Sequence, residues 1–141
     1  RNGCLKMPVA DTEVLFLLRP SDPRHKHVLK LLEEIGSSIA VPDTTLLEFE
    51  IVLRSRGLRV EEVRKALYAI HLILDNYKVK VLKTIDISLL ITHLELMEQY
   101  RLSFFDSLIA ASAISYDGVV LSDDVDFDRV RGLKRVPITR R

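Results

Sequence analysis

The chain has 141 residues, 48% hydrophobic and 29% charged, so it can bury a core and lacks the composition of a disordered segment. Its 21 Lys and Arg against 20 Asp and Glu leave a net charge of +1, which by itself argues for no class of charged partner. A lone Cys4 excludes an internal disulfide and a Cys-based zinc site, and no apolar run is long enough to span a bilayer, so a cytoplasmic, membrane-free protein is expected.

Residues 1–6 read as a natural extension or a cloning remnant, ahead of a single domain over 7–141. No secretory signal is evident, because Asp11 and Glu13 interrupt the first apolar stretch. Val9-Ala10 closes a first strand, and Thr12 to Leu18 reads as a short helix. Asp22-Pro23 predicts an N-cap followed by proline at the first helical position, with Gly36 as the C-cap of that helix. A second strand covers Ser38 to Val41, closed by Pro42. Helices follow from about Thr45 to Arg56, with Gly57 behind, and from about Val60 to Asp75.

Val79 to Leu82 is the third strand. Asp86 caps a helix whose Leu89, Leu90, His93, Leu94 and Met97 fall on one predicted apolar face. Ser103 to Tyr116 is the most apolar helix, and its AASA stretch allows close packing on a sheet. Val119 to Leu121 forms the fourth strand, and Val136-Pro137-Ile138 a fifth at an edge, where proline is tolerated. Strands separated by helices predict an α/β fold with a central parallel sheet covered on both faces. Ligands of such sheets bind beyond the carboxyl ends of the strands.

The acids gather at that end. Asp11 follows strand one, and Asp124 follows strand four. Glu48 is expected in the first turn of the helix after strand two, and Asp106 in the first turn of the helix leading into strand four. Each has a structural explanation of its own: Thr45-x-x-Glu48 is a capping box, Ser103-x-x-Asp106 is nearly one, and Asp11 and Asp124 suit short helix starts. Capping alone leaves converging carboxylates repelling one another by about 1 kcal/mol or more per close pair. A hard divalent cation removes that repulsion.

Other acidic motifs do not fit. An EF-hand loop starting at Asp124 requires Gly and Glu where the chain has Arg129 and Arg135. Asp124-x-Asp126-x ends in Asp128 near the C-terminus, unlike the early DxDx[TV] of haloacid-dehalogenase-type phosphatases. Asp11-Thr12 and Asp106-Ser107 lack the following glycine of aspartic proteases. His25 and His27 point to different helix faces, His71 and His93 lie in apolar helix patterns, and neither a nucleophile elbow nor a glycine-rich phosphate loop is present.

The segments VADTEVLFLL, LLEFEIVLRSRG, SFFDSLIAASA and VVLSDDVDF, in this order, resemble the PIN-domain ribonucleases, especially the VapC-type toxins of toxin–antitoxin pairs. The resemblance implies an α/β/α sandwich and a metal-dependent endoribonuclease. It places the acids of the family on Asp11, Glu48, Asp106 and Asp124, with Asp126 as an auxiliary fifth and Thr12 and Ser122 as the hydroxyl residues that hold them. By the same resemblance Asp11, Asp106 and Asp124 carry a principal Mg²⁺ or Mn²⁺, while Glu48 and Asp126 help with a second ion or orient water. Many members have Asn where this chain has Glu13, and Glu50 is read as non-catalytic.

Clusters of Arg at 54, 56, 59 and 64 and of basic residues from Arg129 to Arg141 suit RNA, with Arg54 and Arg56 the first candidates for its backbone. The implied partners are RNA, a second copy in a homodimer and a small antitoxin threading a segment near the acids. Two alternatives share the fold: a housekeeping RNA-processing nuclease, and an inactive RNA-binding or scaffold module. The complete acid set favours catalysis over the inactive module.

Overall fold

A computed structural model describes residues 6–139, so Cys4, Arg140 and Arg141 lie outside the described residues. Its elements run β1 (Val9–Ala10), α1 (Thr12–Phe16), α2 (His25–Ile35), β2 (Ala40–Pro42), α3 (Asp43–Ser55), α4 (Val60–Asn76), β3 (Lys80–Leu82), α5 (Ile87–Tyr100), α6 (Phe104–Ile114), β4 (Val119–Leu121) and β5 (Lys134–Val136). Short 3-10 turns add Gly36–Ser38 and Val125–Arg129. The five strands form one parallel sheet in the order β3-β2-β1-β4-β5. The chain winds outward from β1 to β3 on one side, then crosses back to β4 and β5 on the other. The strand order therefore reverses between β1 and β4, where a crevice opens beyond the strand ends.

Alternation along the strands builds the three layers. Val9, Ala40 and Val120 enter a core shared with Leu89 and Leu96 of α5 and Leu108 to Ala111 of α6. Their neighbours Ala10, Val41 and Leu121 enter the opposite core with residues of α1 to α4, among them Leu15, Leu31, Phe49 and Leu74. Because both faces are covered, β1, β2 and β4 are buried throughout, whereas the edge strands β3 and β5 are partly exposed. This is the α/β/α sandwich that the alternation of elements predicts. Among the described residues no helix is long and apolar enough to cross a membrane.

Several local expectations are corrected. α3 begins at Asp43, and Thr45 forms no capping box with Glu48. Thr45 is buried, and its hydroxyl donates to the carbonyl of Ala10 at 2.7 Å, stitching α3 to β1. Asp43 instead receives Thr84 N at 2.8 Å, Ile85 N at 3.0 Å and the Thr84 hydroxyl at 2.6 Å, which holds the loop between β3 and α5. α2 starts at His25 because Asp22 and Pro23 form a turn, closed by His25 N donating to Asp22 O at 3.0 Å. Gly36 does cap α2, although its backbone is right-handed. Glycine is needed there for space, since a Cβ would lie 2.8 Å from the carbonyl oxygen of Tyr77.

α5 buries Leu89, His93 and Leu96, while Leu90 and Leu94 face outward. The apolar face that the sequence predicts for α5 is wider than the stripe that α6 covers. The edge strand at the C-terminus lies at Lys134–Val136, just before Pro137, so no ladder bond is lost to the proline.

Candidate functional site

Asp11 leaves the end of β1 with its N–H donating to Leu121 O of β4 at 3.0 Å. Its carboxylate accepts from Thr12 N at 2.7 Å and from the Ser122 hydroxyl at 2.6 Å, so it caps α1 and is locked against β4. Ser122 in turn accepts from Asp124 N at 3.0 Å. One serine thus sets the positions of the acids that follow two neighbouring strands. Thr12 plays a similar part on the other side, donating through its hydroxyl to Glu48 Oε1. Glu48 reaches that contact from the second turn of α3 rather than its first, because the helix starts two residues earlier than Thr45.

Asp106 lies in the first turn of α6, which is capped by Ser103 accepting from Asp106 N at 3.2 Å. Asp124 opens the 3-10 turn and accepts from Asp126 N at 2.9 Å, which turns Asp126 back toward α6. Asp106, Asp124 and Asp126 each offer one carboxylate oxygen, all within 4.8 Å of one another. The other two aspartates of the SDDVDFD run are used structurally. Asp123 accepts from Ile138 N at 2.7 Å and the Thr139 hydroxyl at 2.8 Å, and Asp128 pairs with Arg135 at 3.0 Å.

The electrostatics mark a crowded site. Burial raises Asp11 from 3.8 to about 7, against the hydrogen bonds from Ser122 and Thr12, and Asp106 and Glu48 push it further. Asp11 is only 8% exposed. Burial also raises Asp106 from 3.8 to about 6, helped by the charges of Asp124, Glu48 and Asp126. Burial acts to raise Asp123 too, but its hydrogen bonds from Thr139 and Ile138 outweigh that and hold it below the usual carboxylate range.

The donor set suits a hard cation. It consists of carboxylate oxygens, three of them close enough to share one ligand, and at one of the three, Asp106, burial and neighbouring charges resist ionisation of the free acid. The trio within reach of a common ion is Asp106, Asp124 and Asp126, whereas Asp11 and Glu48 form the adjoining wall, fastened by hydroxyls.

A cleft of about 390 Å³ contains Asp11, Glu48, Asp106 and Asp124 together with Thr12 and Ser122. Arg56 lines it as well, whereas Arg54 is exposed on the same helix and does not, and Glu50 is exposed away from it. Arg24 and Phe16 are lining residues that the sequence did not single out. Arg24 comes from the turn before α2 and donates to Glu13 Oε1 at 2.7 Å and to Asp22 at 3.3 Å. Its signal was the acid at position 13: an unusual carboxylate beside the site needs a counter-charge, but nothing in the sequence names Arg24 as the supplier.

The PIN domain family profile matches residues 9–133. No curated protein matches the chain in sequence. Among solved structures, DNA-bound VapBC from Salmonella typhimurium superposes with a TM-score of 0.71 at 16% identity, covering 95% of this chain and 99% of that one. VapBC2 from Rickettsia felis, bound to a DNA fragment from its promoter, gives 0.68 at 18% identity over 93% and 98%. Mycobacterium tuberculosis VapC20, described as a sarcin-ricin loop cleaving toxin, gives 0.65 at 19% identity over 85% and 92%. At these identities the likeness concerns the fold.

Proposed function

Because the chain belongs to the PIN domain family, we propose that it is a metal-dependent endoribonuclease hydrolysing RNA phosphodiester bonds, the toxin of a VapBC-type pair working in the cytoplasm. The observation that carries the proposal is the trio Asp106, Asp124 and Asp126, whose oxygens lie within 4.8 Å of one another beside the strand-order reversal. These residues would hold Mg²⁺ or Mn²⁺. When bound, such an ion supplies an activated water and charge neutralisation at the phosphate.

The chain's own residues supply the rest. Ser122 and Thr12 keep the carboxylates of Asp11 and Glu48 in fixed orientations, so that the site is organised before substrate arrives. Asp11 and Glu48 add negative charge next to the trio and orient water or a second ion. Arg56 and Arg24, which line the same cleft, are the cations it offers to the RNA.

A small antitoxin is the proposed partner, as in the VapBC complexes that share the fold. An apolar cavity of about 590 Å³ between α2, α3 and α4, lined by Leu29, Phe49, Leu53 and Ile73, supports this by offering an apolar peptide a seat. Homodimerisation is proposed through the outer side of α5, where Ile87 is 78% and Leu94 59% exposed.

The test is cleavage of a mixed RNA pool with Mg²⁺, with Mn²⁺ and with EDTA, alongside Asp106→Asn. Cuts that require the metal and Asp106 are expected. Cleavage that persists in EDTA or in the variant would overturn the site assignment. Growth arrest on expression, relieved by a small neighbouring protein, separates the toxin from a housekeeping nuclease.

A further inference from the structure

We propose that Phe16 and Arg56 form a nucleobase-stacking subsite beside the acids, which selects the nucleotide placed next to the scissile phosphate. The inference rests on the reading of the cleft as an RNA site and assigns its specificity to two residues outside the acid set.

Phe16 is the last residue of α1, whose first turn is capped by Asp11, so the ring is tied through one short rigid helix to the acid site. It is half-buried, with its ring centroid 5.0 Å from that of Phe49 at an interplanar angle of 44°. Phe49 is itself 2% exposed and gives Phe16 a fixed floor. Arg56, the C-cap residue of α3, brings its guanidinium carbon to 4.7 Å from the Phe16 ring centroid. Phe49, Phe16 and Arg56 thus follow one another from the core outward, and the outermost group is a guanidinium over the Phe16 ring in the cleft.

The two arginines of the cleft differ in their partners. Arg24 is engaged by Glu13 and Asp22, as a residue that receives its place from neighbouring acids. Among the described residues Arg56 makes no ion pair; its charge is presented on an aromatic ring. Phe16 and Arg56 also line an adjoining depression with Arg19, Arg24, Glu13 and Asp22, so the pair stands between the acid cleft and a second depression of mixed charge. An RNA strand whose phosphate lies at the acids has to pass this pair, which leaves the ring and the guanidinium opposite a neighbouring base. Unpaired bases are recognised by stacking on aromatic rings and guanidinium planes, since each base has a π-face. A base that must stack here has to leave its own helix, so the subsite also selects unpaired positions.

The experiment uses an RNA oligonucleotide with a mapped cut, in which an abasic nucleotide is walked through each position. Wild-type protein is expected to lose about tenfold in kcat/KM at one position flanking the cut, the scale of one base stack. Phe16→Leu, which keeps apolar volume, and Arg56→Lys, which keeps the charge, should both cleave intact RNA with a raised KM and show no further loss at that abasic position. An equal abasic penalty in wild type and both variants would overturn the subsite.

A second readout needs no cleavage. With EDTA present, oligonucleotides carrying 2-aminopurine at successive positions should show quenched emission at one position on binding wild type, and not on binding Phe16→Leu. Quenching unchanged in Phe16→Leu also overturns the proposal. Failure of the nuclease reading looks different: wild type then leaves all RNA intact with Mg²⁺ and Mn²⁺, while position-specific quenching lost in Phe16→Leu still upholds the subsite.

Discussion

The Ser122 hydroxyl donates to Asp11 Oδ2 at 2.6 Å, joining residues 111 positions apart at the ends of β4 and β1. The same oxygen accepts from Asp124 N, so one hydroxyl orders the acids on both sides of the crevice.

Ser122→Ala removes a donor from a buried carboxylate and an acceptor from a backbone N–H. The expected cost is about 1–3 kcal/mol of stability, with cleavage reduced but the fold kept. Urea unfolding and cleavage rates measured on the same preparation check both. An unchanged cleavage rate would show that Asp11 does not depend on this bond for its position.

Asp106→Asn takes one charge out of a set whose members repel each other. The metal-free variant at about pH 8 should therefore be no less stable than wild type, while the rise in melting temperature on adding Mn²⁺ is lost. Thermal melts with EDTA and with Mn²⁺ separate a ligand role from a structural one. A variant that unfolds at lower temperature in EDTA would contradict the repulsion argument.

The raised acids fix the direction of a pH effect. Asp11 at about 7 and Asp106 at about 6, both from 3.8, bind protons more tightly when folded than when unfolded. The folded state then holds more protons between the two values, and its stability falls as pH rises from about 4 to about 7. Metal binding expels those protons, so added Mn²⁺ should raise the melting temperature more at about pH 8 than at about pH 5. Melting curves across that range, with and without metal, test the sign.

Asp123 behaves oppositely. Its carboxylate satisfies Ile138 N and Thr139, and Ile138 is fully buried. Asp123→Ala should cost about 1–3 kcal/mol while the Mn²⁺-induced shift in melting temperature survives. Because its hydrogen bonds hold Asp123 below the usual carboxylate range, its contribution is present near neutral pH and fades as pH falls through that range. Loss of the metal-induced shift in this variant would move Asp123 into the ion site.

Glu13→Asn removes a partner of Arg24 from a pair whose side chains are 44% and 39% exposed. The stability change should stay within about 1 kcal/mol. Losing a negative charge in the cleft, and one of the two acids that hold Arg24, should tighten RNA binding, seen as a lower KM with kcat unchanged. Filter binding with EDTA present gives the affinity independently of cleavage.

The elements show where sequence reading succeeds and where it stops. Gly57 (φ 92°) after α3, and the Asp86 and Ser103 caps, are local signals, and each stands as predicted because cap and partner lie within a turn. Thr45 broke the same kind of rule: the spacing to Glu48 suits a capping box, but its hydroxyl meets Ala10 O, 35 residues away. Leu90 and Leu94 matched a helical stripe, yet only the neighbour α6 could decide how wide that stripe is. Arg24 carried no local signature, since its place in the cleft depends on how the turn before α2 folds back on α1.

The amino-acid order alone determined the alternation of strands and helices, and with it a parallel sheet whose strand ends carry Asp11 and Asp124. Periodicity and caps are short-range, so they are written in contiguous residues. Which carboxylates come within reach of a common ion was decided by the strand order β3-β2-β1-β4-β5 and by the 3-10 turn that brings Asp126 to Asp106 and Asp124. Those distances depend on contacts between residues far apart in the chain, and only the folded packing sets them.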